Sequence, residues 1–176
     1  MHNQRILPVS IEETTGKTKE QLEQIRRKHH RVPNMHATMA AAPAVLDAYL
    51  ALNAALAHSS LEPDLRERIA LAVAAANSCE YCLAAHTDGG KALKIDAAEI
   101  ERAKEAQSLN AHYQAALKFA RAVVEDMGMV TDADMAAVKR AGWSDAAVLE
   151  IVAVVSANVF TNYFNHVVAT QVDFPA

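Results

Sequence analysis

Apolar positions recur along this chain at intervals of three and four and never alternate over a run long enough for a strand, so the pattern predicts helices throughout. Residues 1–17 lack periodicity and close on Thr14, Thr15 and Gly16, which predicts an extended arm available to wrap a neighbour. From Thr18 to about His30 only Leu22 and Ile25 form an apolar stripe, the mark of a surface helix, ended by Pro33 and Asn34. After a short helical piece from Met35, Pro43 opens a helix carrying Leu46, Leu50, Leu52 and Leu56. Pro63 opens another that runs to Ala76, since proline suits the first helical turn.

Asn77 and Ser78 are both favoured N-cap residues, and Asn77 with Glu80 has capping-box spacing. A helix is therefore expected from Cys79 through His86 toward Lys91, weakened at its far end by Gly89 and Gly90. Asp96 caps a helix expected to reach Gln107, Asn110 one to Met127, and Thr131 with Asp134 one to Gly142. Ser144 starts the last, near-continuously apolar from Ala146 to Phe160, which implies burial on all sides in the middle of a bundle. Along it runs a polar stripe of Asn158, Asn162 and Asn165 with neighbouring His166. Such groups either line a cavity or bond across a subunit interface. The interface is favoured, because buried polar networks often fix packing register.

Composition adds the fold class. With 176 residues, 52% of them hydrophobic, only 5% aromatic and many alanine, the chain suits one all-α domain, a closely packed helical bundle over residues 1–176. A net charge of -4 excludes the basic surface that nucleic acid requires. The local basic run from Lys17 to Arg31 reads as a solvated helix face. No secretory signal or transit peptide is recognisable at the start. The apolar stretch Val148 to Phe160 is broken by Glu150, Ser156 and Asn158 and is too short to span a bilayer. A cytoplasmic protein with no membrane partner is the expectation.

The chemistry concentrates in one segment. The only two cysteines, Cys79 and Cys82, stand three apart, too close to staple distant parts of a fold and well placed for redox or metal chemistry. With His86 they occupy helical offsets of zero, three and seven, one face. A cysteine in the first turn of a helix meets the positive end of the helix dipole, which favours thiolate, and His86 one turn beyond is placed to accept a thiol proton. On the preceding helix Glu67 shares a face with Leu71, Ala74 and Ser78. It therefore points inward, where a carboxylate needs a partner and can relay protons to His86 or Cys79.

Glu67, Cys79, Cys82 and His86, at these spacings within ERIALAVAAANSCEYCLAAHT, resemble the signature of the alkylhydroperoxidase D and carboxymuconolactone decarboxylase superfamily. The flanks VPNMHATMAAAPAVLDAYLALNAAL and NVFTNYFNHVVATQVDFP look like those of its peroxidase-related branch, so the likeness covers most of residues 32–175. The resemblance implies an all-helical fold, homo-oligomers built as trimers or hexamers, and reduction of alkyl hydroperoxides or hydrogen peroxide. By the same resemblance Cys82 is the attacking and Cys79 the resolving cysteine, and Glu67 with His86 is the proton relay. No cofactor is expected; an external dithiol or lipoyl-type reductant protein restores the thiols. The best-known peroxidases of the family carry a histidine where this chain has Tyr81, which reads as a packing residue with a satisfied hydroxyl.

Other readings of the cysteine pair are two inert buried thiols, a redox-sensing oligomer with slow or no turnover, and a zinc site completed by His86 and Glu67. A thioredoxin-like fold is excluded because no strand precedes the pair. Muconolactone decarboxylation belongs to superfamily members without the cysteines.

Overall fold

The computed structural model describes residues 4–174. They form an all-α bundle, as expected. After a 3-10 turn at Ile11–Glu13 come α1 (Gly16–His29), α2 (Asn34–Met39), α3 (Pro43–Leu56), α4 (Pro63–Ala76), α5 (Glu80–Ala92), α6 (Ala97–Lys104), α7 (Ala111–Glu125), α8 (Asp132–Arg140) and α9 (Asp145–Val168).

Most boundaries follow from local chemistry. Pro43 and Pro63 occupy first-turn positions of α3 and α4. Asp96, Asn110 and Ser144 accept backbone N–H bonds at the starts of α6, α7 and α9, and Thr131 with Asp134 closes a capping box on α8. α6 and α7 end two to three residues before the expected Gln107 and Met127. There Ala106 and Met127 adopt left-handed backbone with φ near 53°.

One boundary differs in kind. Asn77 and Ser78 do not cap α5; they end α4. Ser78 takes φ 54°, its N–H donates to Ala75 O over 3.0 Å, and the Cys79 N–H reaches Ala74 O over 2.9 Å, a Schellman stop. Cys79 is itself the N-cap of α5 and Cys82 lies in its first turn. Only a left-handed residue reverses the chain this tightly. The Asn77 side chain, free of capping duty, donates across to Asn162 Oδ1 over 2.8 Å.

α4 is the central helix and packs against α5, α6, α7 and α9. Its Leu65, Ile69 and Val73 join Leu117 and Ala120 of α7 and Ile151 and Val155 of α9 in the larger core. A second core gathers Leu22 and Ile25 of α1, Met35 and Met39 of α2 and Leu46 of α3 around Cys79, Tyr81 and Cys82. The site is thus clamped between the N-terminal helices and α5. Residues 4–9 of the expected arm lie on their own chain, with Arg5 N–H bonded to Val168 O and Val9 N–H to Ala37 O.

α9 corrects a second expectation. By length and composition its 24 residues suffice to cross a bilayer, and half of its apolar window is packed inside the protein. The helix is not buried on all sides: Leu149 (71% exposed), Phe160, Tyr163 (58%) and Val167 (64%) form an outward stripe at helical spacing. Continuous apolarity marks a helix that needs cover on both sides, and this chain supplies cover on one.

Candidate active site

Two helices bring the four predicted residues together. Glu67 rises from α4, while Cys79, Cys82 and His86 follow one another along α5. The His86 Nδ1–H donates to Glu67 Oε1 over 2.8 Å, which leaves Nε2 free on the other side of the ring. Burial works against the charged ring, but the Glu67 carboxylate, the Cys82 sulfur and the Asn158 side chain outweigh it and hold the His86 pKa above its ordinary value.

Both cysteines are free thiols and both are buried. They are electrostatically unlike. Cys82 is held well below the ordinary thiol range: Cys79 hydrogen-bonds its sulfur, and Asn165, His86 and Asn162 add to that against the cost of burial. Cys79 is pushed the other way by the same bond and by burial. The shifts favour the proton on Cys79 and the negative charge on Cys82.

The asparagine stripe of α9 is what the interface expectation misplaced. Asn165 is buried, and its Nδ2–H donates to Cys82 Sγ over 3.2 Å and approaches Met35 Sδ at 3.4 Å. Asn162 is 0% exposed; its Oδ1 accepts from Asn77, its Nδ2 has no hydrogen-bond partner among the described residues, and the side chain favours the Cys82 thiolate. Asn158 anchors its own amide on Val154 O over 2.8 Å and faces His86. Only His166 points out to solvent. The stripe thus faces the cysteines and His86, with Asn165 as the residue whose amide bonds directly to a site sulfur. Tyr81 behaves as read: its hydroxyl accepts the Met35 N–H over 3.2 Å and its ring meets Phe174 edge-on.

Cys82, Glu67 and His86 open onto a cavity of about 530 Å³. Ile25, Leu50, Leu56, Ala70 and Val154 supply apolar wall, and the rings of His36 and Tyr49, 5.5 Å apart, face it from α2 and α3. Lys28 and His29 of the basic run stand at its rim. Neither His36 nor Tyr49 was singled out in the sequence, because nothing in spacing joins them to the cysteines. Gly89 was seen only as a helix weakener. A Cβ there would overlap Glu67 Oε1, so the glycine makes room for the carboxylate beside His86. Among the described residues no group of three His, Cys, Asp or Glu side chains is placed to hold a metal ion.

Residues 43–126, which contain all four site residues, match the carboxymuconolactone decarboxylase family. A solved peroxidase-related protein with an alkylhydroperoxidase D core, from Ralstonia eutropha JMP134, superposes with a TM-score of 0.89 over 98% of this chain and 94% of its own, at 22% identity. The family match spans just under half of the chain, and over nearly its whole length the chain has the helical fold of the alkylhydroperoxidase D core. A peroxidase-related protein from Silicibacter sp. TM1040 shares this fold at TM-score 0.85 and 24% identity, over 97% of this chain and 92% of its own. So does a cysteine-to-alanine variant of the debrominase Bmp8 in complex with 2,3,4-tribromopyrrole, at TM-score 0.83 and 20% identity over the same shares. No curated protein matches the chain. At these identities the likeness carries the fold, and this chain's own site must carry the chemistry.

Proposed function

We propose that this protein is a thiol-dependent peroxidase that reduces organic hydroperoxides through Cys82 and Cys79. The observation that supports it is the Cys82 sulfur on the cavity wall, held as thiolate by Cys79, Asn165 and His86. The thiolate attacks the terminal peroxide oxygen, the O–O bond breaks, and the alkoxide leaves with a proton from His86, whose charge Glu67 stabilises. Cys82 becomes a sulfenic acid; Cys79 condenses with it, releasing water and closing a disulfide. An external dithiol supplies the two electrons that reopen it. The cavity far exceeds the size of hydrogen peroxide and falls within the range of small-molecule sites, which favours a substrate with an apolar body. The outward stripe of α9 supports self-association, and a cytoplasmic homo-oligomer completes the proposal.

One observation favours a second reading. The debrominase neighbour shares the fold and was solved with a halogenated pyrrole, and a monocyclic ring fits a cavity of this volume. The same two thiols can replace a carbon–bromine bond by carbon–hydrogen, yielding bromide and the same disulfide. Initial rates with cumene hydroperoxide, hydrogen peroxide and 2,3,4-tribromopyrrole, each with excess dihydrolipoamide, separate the readings. The peroxidase reading expects cumene hydroperoxide to be fastest and Cys82→Ser to be inactive; bromide release as the dominant rate would replace it.

A further inference from the structure

The two sulfurs open onto different faces of the protein. Cys82 lines the cavity described above, together with Glu67 and His86, and Cys79 does not. Cys79 lines a second cavity of about 530 Å³, more open to solvent, walled by Arg5, Glu80, Asn165, His166 and Gln171, and Cys82 is absent from it. Tyr81 belongs to both and forms the partition, fixed by the Met35 N–H on one side and the Phe174 ring on the other.

Thiol–disulfide exchange is directional. The incoming thiolate, the attacked sulfur and the departing sulfur lie roughly in line, so the attacked sulfur must be reachable from the side away from its partner. The better leaving thiolate departs faster. In a closed Cys79–Cys82 disulfide, Cys82 is the better leaving group, because Asn165, His86 and Asn162 stabilise its thiolate. Attack therefore belongs on Cys79, and Cys79 opens on the second cavity.

We propose that the cavity of Arg5, Glu80, His166 and Gln171 is the entry site for the reductant, a slender dithiol, separate from the substrate cavity on the Cys82 side. The inference rests on the thiol-redox reading above. In the reductive step one thiolate of the dithiol bonds to Cys79 Sγ, the Cys79–Cys82 bond breaks, and its electron pair leaves on Cys82. The second thiol of the reductant then attacks the mixed disulfide, departs as a cyclic disulfide, and its released proton returns to Cys79. Cys79 lies buried at the base of the cavity, so the dithiol must reach inward on a narrow arm. A broad protein surface stops at the rim, where Glu80, His166 and Gln171 are exposed.

The test closes the disulfide with diamide, which needs no peroxide, so that failure of the peroxidase reading leaves it intact. The closed protein is treated with 2-mercaptoethanol and trapped with N-ethylmaleimide, and the adducts are placed by fragment-ion mass spectrometry. Mercaptoethanol on Cys79 and maleimide on Cys82 is the expected result; mercaptoethanol on Cys82, or on both equally, overturns the assignment. A pair that diamide does not close overturns this inference and the disulfide chemistry beneath it together. Reduction by dihydrolipoamide is then timed in two variants. His166→Trp, at the rim of the second cavity, should slow it at least about tenfold more than Leu50→Trp in the substrate cavity, since exchange rates follow access. Equal slowing contradicts separate entry, and a thioredoxin-type protein that matches dihydrolipoamide in rate contradicts the narrow arm.

Discussion

Asn165 of α9 donates its side-chain N–H to Cys82 Sγ over 3.2 Å, from 83 residues further along the chain. A neutral donor to a buried thiolate selects the charged form, and a hydrogen bond to a charged group contributes about 1.5–3 kcal/mol. Asn165→Ala should therefore raise the pH at which Cys82 alkylation by iodoacetamide is half-maximal by about 1–2 pH units. In the wild type that midpoint should lie well below the ordinary thiol value of about 8.5, with reactivity retained at neutral pH and lost as pH falls. An unchanged midpoint in the variant would remove Asn165 from the account.

Gly89 and Glu67 compete for one space, with a physical consequence that separates stability from activity. Alanine at Gly89 improves the interior of α5 by about 0.5–1 kcal/mol, while its Cβ displaces the far end of the flexible Glu67 side chain. Gly89→Ala should melt no lower than wild type and yet lose about tenfold or more in kcat, because His86 loses its carboxylate partner. Calorimetry beside initial rates checks both halves. A variant that is fully active shows that the Glu67–His86 contact is dispensable.

His36 carries a pH signature of its own. Burial, with the positive charge of neighbouring His29 and Lys28, lowers its pKa to about 4, and its Nδ1 has no hydrogen-bond partner among the described residues. The unfolded chain takes up this proton near pH 6.5 and the folded protein does not, so stability is full above that value and falls as pH drops toward 4. At pH 5 the loss should be on the order of 1–2 kcal/mol. Denaturant melts of His36→Leu at pH 7 and pH 5 should show a smaller difference than wild type; an identical difference would mean that the folded ring protonates freely.

The helical class and most helix starts were legible because single residues announce them: Pro43, Pro63, Asp96, Asn110, Thr131 with Asp134, and Ser144. The four-residue constellation was legible because Cys79, Cys82 and His86 share one helix and Glu67 lies a fixed distance before them. Asn77 and Ser78 misled because asparagine and serine serve either helix end, and tertiary context decided: Asn162 claimed one side chain and a left-handed turn the other residue. Asn165 and Asn162 were seen as polar residues needing partners, but whether the partner is a sulfur or another subunit depends on the rotation of α9, which periodicity does not supply. Gly89 showed only as a helix weakener for a similar reason, since its role exists only beside a carboxylate from another helix. The same holds for His36 and Tyr49, which reach the cavity from α2 and α3.

The most direct test is a single turnover without reductant. Fully reduced protein, with its two free thiols, is mixed under nitrogen with one equivalent of cumene hydroperoxide; cumyl alcohol is quantified and the intact mass recorded. The account predicts one equivalent of alcohol, loss of both thiols and a mass lower by two hydrogens, with Cys82→Ser forming no alcohol. Hydroperoxide left unconsumed with both thiols intact, or alcohol formed equally by Cys82→Ser, would contradict it.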